Sequence, residues 1–333
     1  MKRDYSIDLL KCLAALLITW SHLDPLLGKY AVLATGGSFG DCLFFFCSGY
    51  TLFLSQKKTS FLNWYKRRIN RIYPTVFAWA LVCTCFFHGN RNMAEIIVSG
   101  GGFFISCIMI FYLFLYPIKK YIITDGITTH NCVVSVSLVG GVILLAASFA
   151  LLFFVDVNDS DMMYRWHWSL YFIPMLMGAM FGKIQFDKRK NDLNYPIWRI
   201  CIALSISVMG YYLLIYITET DSFLFLKPFV ILPQLGVTSF FYLLCRTIYA
   251  EHLYKNKCSY VFIRLIGGLC LEIYIVQPII IHRFTMLEYF PLNILIVFTM
   301  IVSFAYALKC LGQVWQQTFK DADYNWKKIL EPW

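Results

Sequence analysis

Ten apolar stretches of about twenty residues each constrain this chain more than any other feature. They run over 7–27, 38–55, 73–89, 96–117, 133–155, 164–183, 199–217, 228–249, 260–281 and 291–311. A helix rising about 1.5 Å per residue needs roughly 20 apolar residues to cross a bilayer core. Helix also lets a lone segment satisfy its backbone polar groups in lipid. The expected fold is therefore all-α: a polytopic transmembrane helical bundle of about ten transmembrane helices. Only 14% of the 333 residues are charged and the mean hydropathy is +0.63. A soluble fold could not hide that much apolar surface. No linker between the runs is long enough to separate soluble domains, so residues 1–333 read as a single membrane-embedded domain.

Charge sets the orientation. With the N-terminus inside, the inner segments hold about 23 of the lysines and arginines, including Lys2, Arg3 and the cluster from Lys57 to Arg71. The outer loops hold only Lys29, Arg91, Arg165, Lys227 and Arg283. The acidic loop 156–161 falls outside. Positively charged loops stay cytosolic, so both termini are expected in the cytosol, in a cell (cytoplasmic/inner) membrane. The net charge of +10 then reports topology rather than a nucleic-acid partner. Aromatic residues at 18% suit interfacial belts. The twelve cysteines lie mostly in apolar runs without a Cys-x-x-Cys pair, so neither a metal site nor a disulfide framework is expected. The basic start lacks a small-residue cleavage site, which makes the first run a retained helix.

Polar residues inside the runs carry the chemistry. Lys11 sits in the first, where insertion costs roughly 2.5–3.5 kcal/mol. His22 follows eleven residues later, about three turns plus 20°, so both share one helix face with a rise of about 16 Å. Asp8, one turn before Lys11, is placed to pair with it. A snorkelling Lys11 and an interfacial His22 are the plainer reading. In the second run, Asp41 opens the helix close in sequence to His22, and small Ser48 and Gly49 follow three phenylalanines, with Tyr50 next. Helix packing accounts for such small residues. Arg68 and Arg71 lie one turn apart if helical. They present two guanidinium forks at the inner surface, suited to a polyanion; a basic inner loop demanded by topology is the alternative. Glu272 is costly in a span unless it is paired, either in a site or in an interhelical hydrogen bond. Gly178 and Gly182 form a Gly-x-x-x-Gly packing pair. His167, between Trp166 and Trp168, is a candidate for lining an outer cleft.

Taken together, these motifs resemble the acyltransferase-3 family of integral membrane O-acyltransferases. The family pattern of a basic residue, ten residues and His is met by Lys11 and His22. Phe-Phe-x-x-Ser-Gly-aromatic is met by Phe44, Phe45, Ser48, Gly49 and Tyr50. Arg-x-x-Arg before a proline is met by Arg68, Arg71 and Pro74. A Tyr-Leu-x-His-Pro-like stretch is met by Tyr274, Ile275, Gln277 and Pro278. Lys11 stands where arginine is commoner, and Gln277 where histidine is frequent.

The resemblance implies one acyltransferase domain over 1–333. It would move an acetyl group from acetyl-CoA, as co-substrate with no bound cofactor, to a hydroxyl of a sugar, cell-surface polysaccharide or lipid-linked glycan. His22 and Lys11 would be catalytic, and Arg68 and Arg71 would bind acyl-CoA. Asp41, Ser48, Tyr50, Glu272, Tyr274 and Gln277 would line the site. The resemblance also implies membrane lipid as surroundings, and the chain is expected to depart from those relatives that carry a fused extracytoplasmic esterase-like domain. A secondary transporter or polysaccharide flippase is the rival class, and would predict internal repeats and matched helix breaks in the two halves. A non-catalytic membrane scaffold would not need Lys11 or Glu272 in the bilayer.

Overall fold

The computed structural model describes residues 4–54, 59–86, 102–124, 169–187, 196–285, 289–318 and 323–331. Every regular element among them is helical. In chain order these are α1 (Tyr5–Ser21), α2 (Asp24–Leu27), a 3-10 turn (Gly28–Leu33), α3 (Gly37–Leu54), α4 (Phe61–Phe86), α5 (Phe103–Thr124), α6 (Phe172–Asp187) and α7 (Ile197–Thr218). A 3-10 segment (Asp221–Val230) leads into α8 (Ile231–Leu244), followed by α9 (Ile248–Lys255), α10 (Lys257–Gly268), α11 (Cys270–Arg283), α12 (Leu292–Thr318) and α13 (Trp326–Leu330).

Six helical stretches are long and apolar enough to cross a membrane, and two bent pairs raise the number to eight among the described residues. The expected span at 133–155 lies outside the described residues, and α6 is 16 residues long. The first and ninth expected spans are the two bent pairs. The first turns by 61° between Ser21 and Asp24, and the ninth by 72° between Gly268 and Cys270. Pro25 enters α2 without an N–H to continue the ladder of α1. Gly28 then takes φ 53°, a left-handed turn that favours glycine. Side chains secure this break: Trp20 Nε1 donates to the Leu33 carbonyl at 2.7 Å, and buried Asn293 donates to the Leu26 carbonyl at 2.9 Å. The second break follows Gly267 and Gly268, poor helix formers that leave the backbone free to turn.

α4 starts at Phe61, twelve residues before the expected span, so the run from Lys66 to Arg71 is helical. Pro74 stays inside this helix and offers no N–H to the Asn70 carbonyl four residues back. Gln316 Nε2, from α12, donates to that carbonyl instead at 2.7 Å. α12 runs to Thr318, past the expected end at 311.

The chain divides into two compact units. The first comprises residues 1–10, 41–58 and 114–256; the second comprises 11–40, 59–113 and 257–333. In the first, α3 and α6 touch backbone to backbone. A Cβ on Gly49 would strike the Met175 carbonyl, and one on Gly178 or Gly182 would strike the carbonyls of Phe46 or Tyr50. Small residues at both faces permit that approach. In the second unit α4, α11 and α12 pack against one another. Gly312 keeps α12 close to Thr75, whose Oγ1 would lie 2.9 Å from an added Cβ.

Candidate active site

Seven of the residues singled out in the sequence fall in the second unit: Lys11, His22, Arg68, Arg71, Glu272, Tyr274 and Gln277. They come from three distant segments. Asp41, Ser48 and Tyr50 belong to the first unit. There the Tyr50 hydroxyl donates to Asp4 Oδ2 at 2.7 Å, and Asp41 and Ser48 are half-buried. Asp8, expected beside Lys11, accepts a hydrogen bond from the Tyr254 hydroxyl at 3.0 Å within that first unit. His167 lies outside the described residues.

His22 stands at the break after α1, where its backbone N–H still bonds the Thr19 carbonyl at 3.1 Å. Its side chain is exposed. An imidazole at the surface of a helix break can reach a substrate without first opening the fold. One turn earlier, Thr19 Oγ1 donates to Gln277 Oε1 at 3.0 Å, both groups being buried. That bond ties α1 to α11 one turn before the histidine. It also fixes the amide of Gln277, which is 0% exposed, so that its Nε2 is left without a hydrogen-bond acceptor.

Arg68 is half-buried between two rings. Its guanidinium carbon lies 5.3 Å from the centre of Trp64 and 5.9 Å from that of Tyr112. Those aromatic faces attract a cation and hold the fork in place, while Nε is buried without a partner. Arg71, one turn along, is exposed, and so is Arg67, whose Nε is engaged with the Asn63 carbonyl at 3.1 Å. α4 therefore presents one arginine preset by stacking and one free to swing.

Thr75 continues this helix face to a buried ion pair that the sequence did not reveal. Lys309 Nζ, on α12, donates to Glu272 Oε1 at 2.9 Å, and Thr75 Oγ1 donates to the same oxygen at 3.3 Å. Glu272 is 0% exposed, and its Oε2 has no partner. Tyr274, on the same helix, packs its ring 5.1 Å from Phe104. By charge alone Lys309 is one of the inner lysines that set the orientation. The signal that could have found it is a lysine followed at i+4 and i+8 by Gln313 and Gln317, one stripe of a helix that is otherwise apolar.

These are the features of a membrane-embedded enzyme: an exposed imidazole, a pair of helical arginines and a buried carboxylate joined within one helical unit. The model of the acyltransferase-3 family, described as an acyltransferase domain, matches residues 4–310. The chain belongs to that family and is a multi-pass membrane acyltransferase. No curated protein and no solved structure matches it.

Proposed function

We propose that this protein is a membrane O-acetyltransferase that takes acetyl from cytosolic acetyl-CoA and passes it to a hydroxyl of a sugar, polysaccharide or lipid-linked glycan. The observation that carries this reading is the collection of Lys11, His22, Arg68, Arg71, Glu272 and Gln277 in one compact unit. Arg68 and Arg71 supply two guanidinium groups for the phosphates of coenzyme A. His22 takes the proton of the acceptor hydroxyl on an imidazole nitrogen. The acceptor oxygen forms a bond to the thioester carbonyl carbon, the carbon–sulfur bond breaks, and the coenzyme A sulfur leaves with the proton held by the imidazole. Lys11 supplies a fixed positive charge on α1, whose C-terminal end leads into the histidine. Positive-inside orientation puts the arginines toward the cytosol and the break at His22 toward the opposite side.

The test is thioester consumption by detergent-purified protein. Wild-type protein should release free coenzyme A thiol from acetyl-CoA, faster when a glycan acceptor is added, and His22→Ala should not. Absence of thiol release by the folded wild-type protein with any acceptor would refute the reading.

A further inference from the structure

α9 is an eight-residue helix in which no residue is buried. A helix that short is marginal in water unless an amphipathic face packs against something. Thr247 caps its start, its side chain accepting from the Ala250 N–H at 3.4 Å, but one cap does not hold two turns.

At about 100° per residue the helix divides into three faces. Ala250 and Tyr254 are half-buried on the first. There the Tyr254 hydroxyl donates to Asp8 Oδ2 at 3.0 Å, and its ring centre lies 5.7 Å from that of Tyr5. Both partners stand in the first turn of α1, in the same compact unit as α9. On the second face Glu251 and Lys255 form an ion pair at 2.7 Å, with side chains 42% and 67% exposed, so this face meets water. The remaining arc of about 140° holds Ile248, His252, Tyr249 and Leu253, all exposed. Its three apolar members are 61%, 70% and 52% exposed in the order Ile248, Tyr249, Leu253.

The position of α9 in the chain sets its depth. Ile248 and Tyr249 end the apolar run 228–249, yet α8 stops at Leu244. A hydrogen-bonded turn over Cys245, Arg246 and Thr247 then starts α9 close to the end of a span. Thr247 and Asn256 take extended backbone, with ψ 160° and 127°, and redirect the chain at each end of a helix that is about 12 Å long. Arg246, Lys255 and Lys257 mark the segment as cytosolic.

We propose that α9 lies in the plane of the cytosolic leaflet, with Ile248, Tyr249 and Leu253 among phospholipid acyl chains, and that Tyr254 thereby fastens the first turn of α1 to the bilayer surface. A short helix at a span end, apolar on one side and charged on another, is the form that settles at the headgroup–acyl boundary. Three side chains over two turns cover far less than the roughly 800 Å² per partner of a stable protein interface. A bilayer needs no such minimum, because it already surrounds α8.

The experiment places benzoylphenylalanine at Tyr249, Leu253 or Glu251 of the full chain, reconstitutes each variant in vesicles of phosphatidylcholine and phosphatidylglycerol, and irradiates them. Intact mass should show one phospholipid added at positions 249 and 253, in about tenfold higher yield than at 251, which faces the other way. Equal yields at the three positions, or cross-links from 249 and 253 to protein alone, would overturn the proposal. Amide exchange over residues 5–12 in the same vesicles tests the fastening. It should rise severalfold in Tyr254→Phe, which loses only the hydroxyl held by Asp8, and in Ile248→Ser/Leu253→Ser, which alters only exposed side chains. Unchanged exchange in both would overturn the link from lipid to α1.

Discussion

Lys309 Nζ lies 2.9 Å from Glu272 Oε1, joining the last long helix to the second half of a broken one. The two ends of the pair are unequal: the Glu272 side chain is 0% exposed and that of Lys309 is 22% exposed. Breaking a buried pair from one side costs about 3–5 kcal/mol, because the other charge is left uncompensated. Lys309→Met strands a sealed carboxylate, whereas Glu272→Gln strands an ammonium that still reaches solvent. Lys309→Met should therefore lower the melting temperature in detergent more than Glu272→Gln, and the double variant should recover much of the loss. Equal losses that add in the double variant would show that the two residues are not coupled.

Arg68 and Arg71 should separate from Arg67 in kinetics. A hydrogen bond to a charged group contributes about 1.5–3 kcal/mol. Arg68→Ala or Arg71→Ala should raise KM for acetyl-CoA by about tenfold or more, and Arg67→Ala much less. Arg68→Lys should not rescue, since an ammonium lacks the planar fork that lies between Trp64 and Tyr112. Small, equal effects at all three positions would leave the cluster with a topological role alone.

His22→Ala should keep expression and melting temperature near wild type, because the side chain is exposed and its loss strands nothing. Transfer per folded molecule should fall by about 10²–10⁴-fold, the value of general-base help. Retention of more than about a tenth of the wild-type rate would remove the histidine from the mechanism. Lys11→Arg should retain more transfer than Lys11→Ala.

Gly178→Ala should destabilise the first unit by about 1–3 kcal/mol, as overpacking does, because the new Cβ lands on the Phe46 carbonyl. Gly210→Ala is the control. Its nearest neighbour would be Pro233 Cβ at 3.9 Å, an ordinary contact. A melting curve for each variant distinguishes the two positions.

Reporter fusions test the orientation. One placed after Asn256 should behave as cytosolic and one after Tyr289 as extracytoplasmic, since the bent pair α10–α11 separates them. The reverse pattern would move the arginines away from cytosolic coenzyme A.

Hydrophobic run length by itself determined the class of this protein, because a bilayer imposes one element type and one minimum length on whatever crosses it. Lys11 stood out because a charged group is too costly in an apolar helix to be there without cause, whereas His22, Arg68 and Arg71 stood out by their spacing alone, and their roles belong to the proposal above. The ion pair of Glu272 was not legible. Its partner is 37 residues away on another helix, and a lysine near a cytosolic end looks like a topology signal. The broken helices also escaped, since a mean over twenty residues does not register a turn at Pro25 or Gly268. Only tertiary structure decided that Gln316 would serve the carbonyl left bare by Pro74, and that buried Gln277 and Gln317 and half-buried Gln313 would each keep a sealed polar atom unspent. Glutamine in an apolar run reads as mildly polar in sequence. Whether it is satisfied depends on which neighbouring helix faces it, and that is settled when the helices pack.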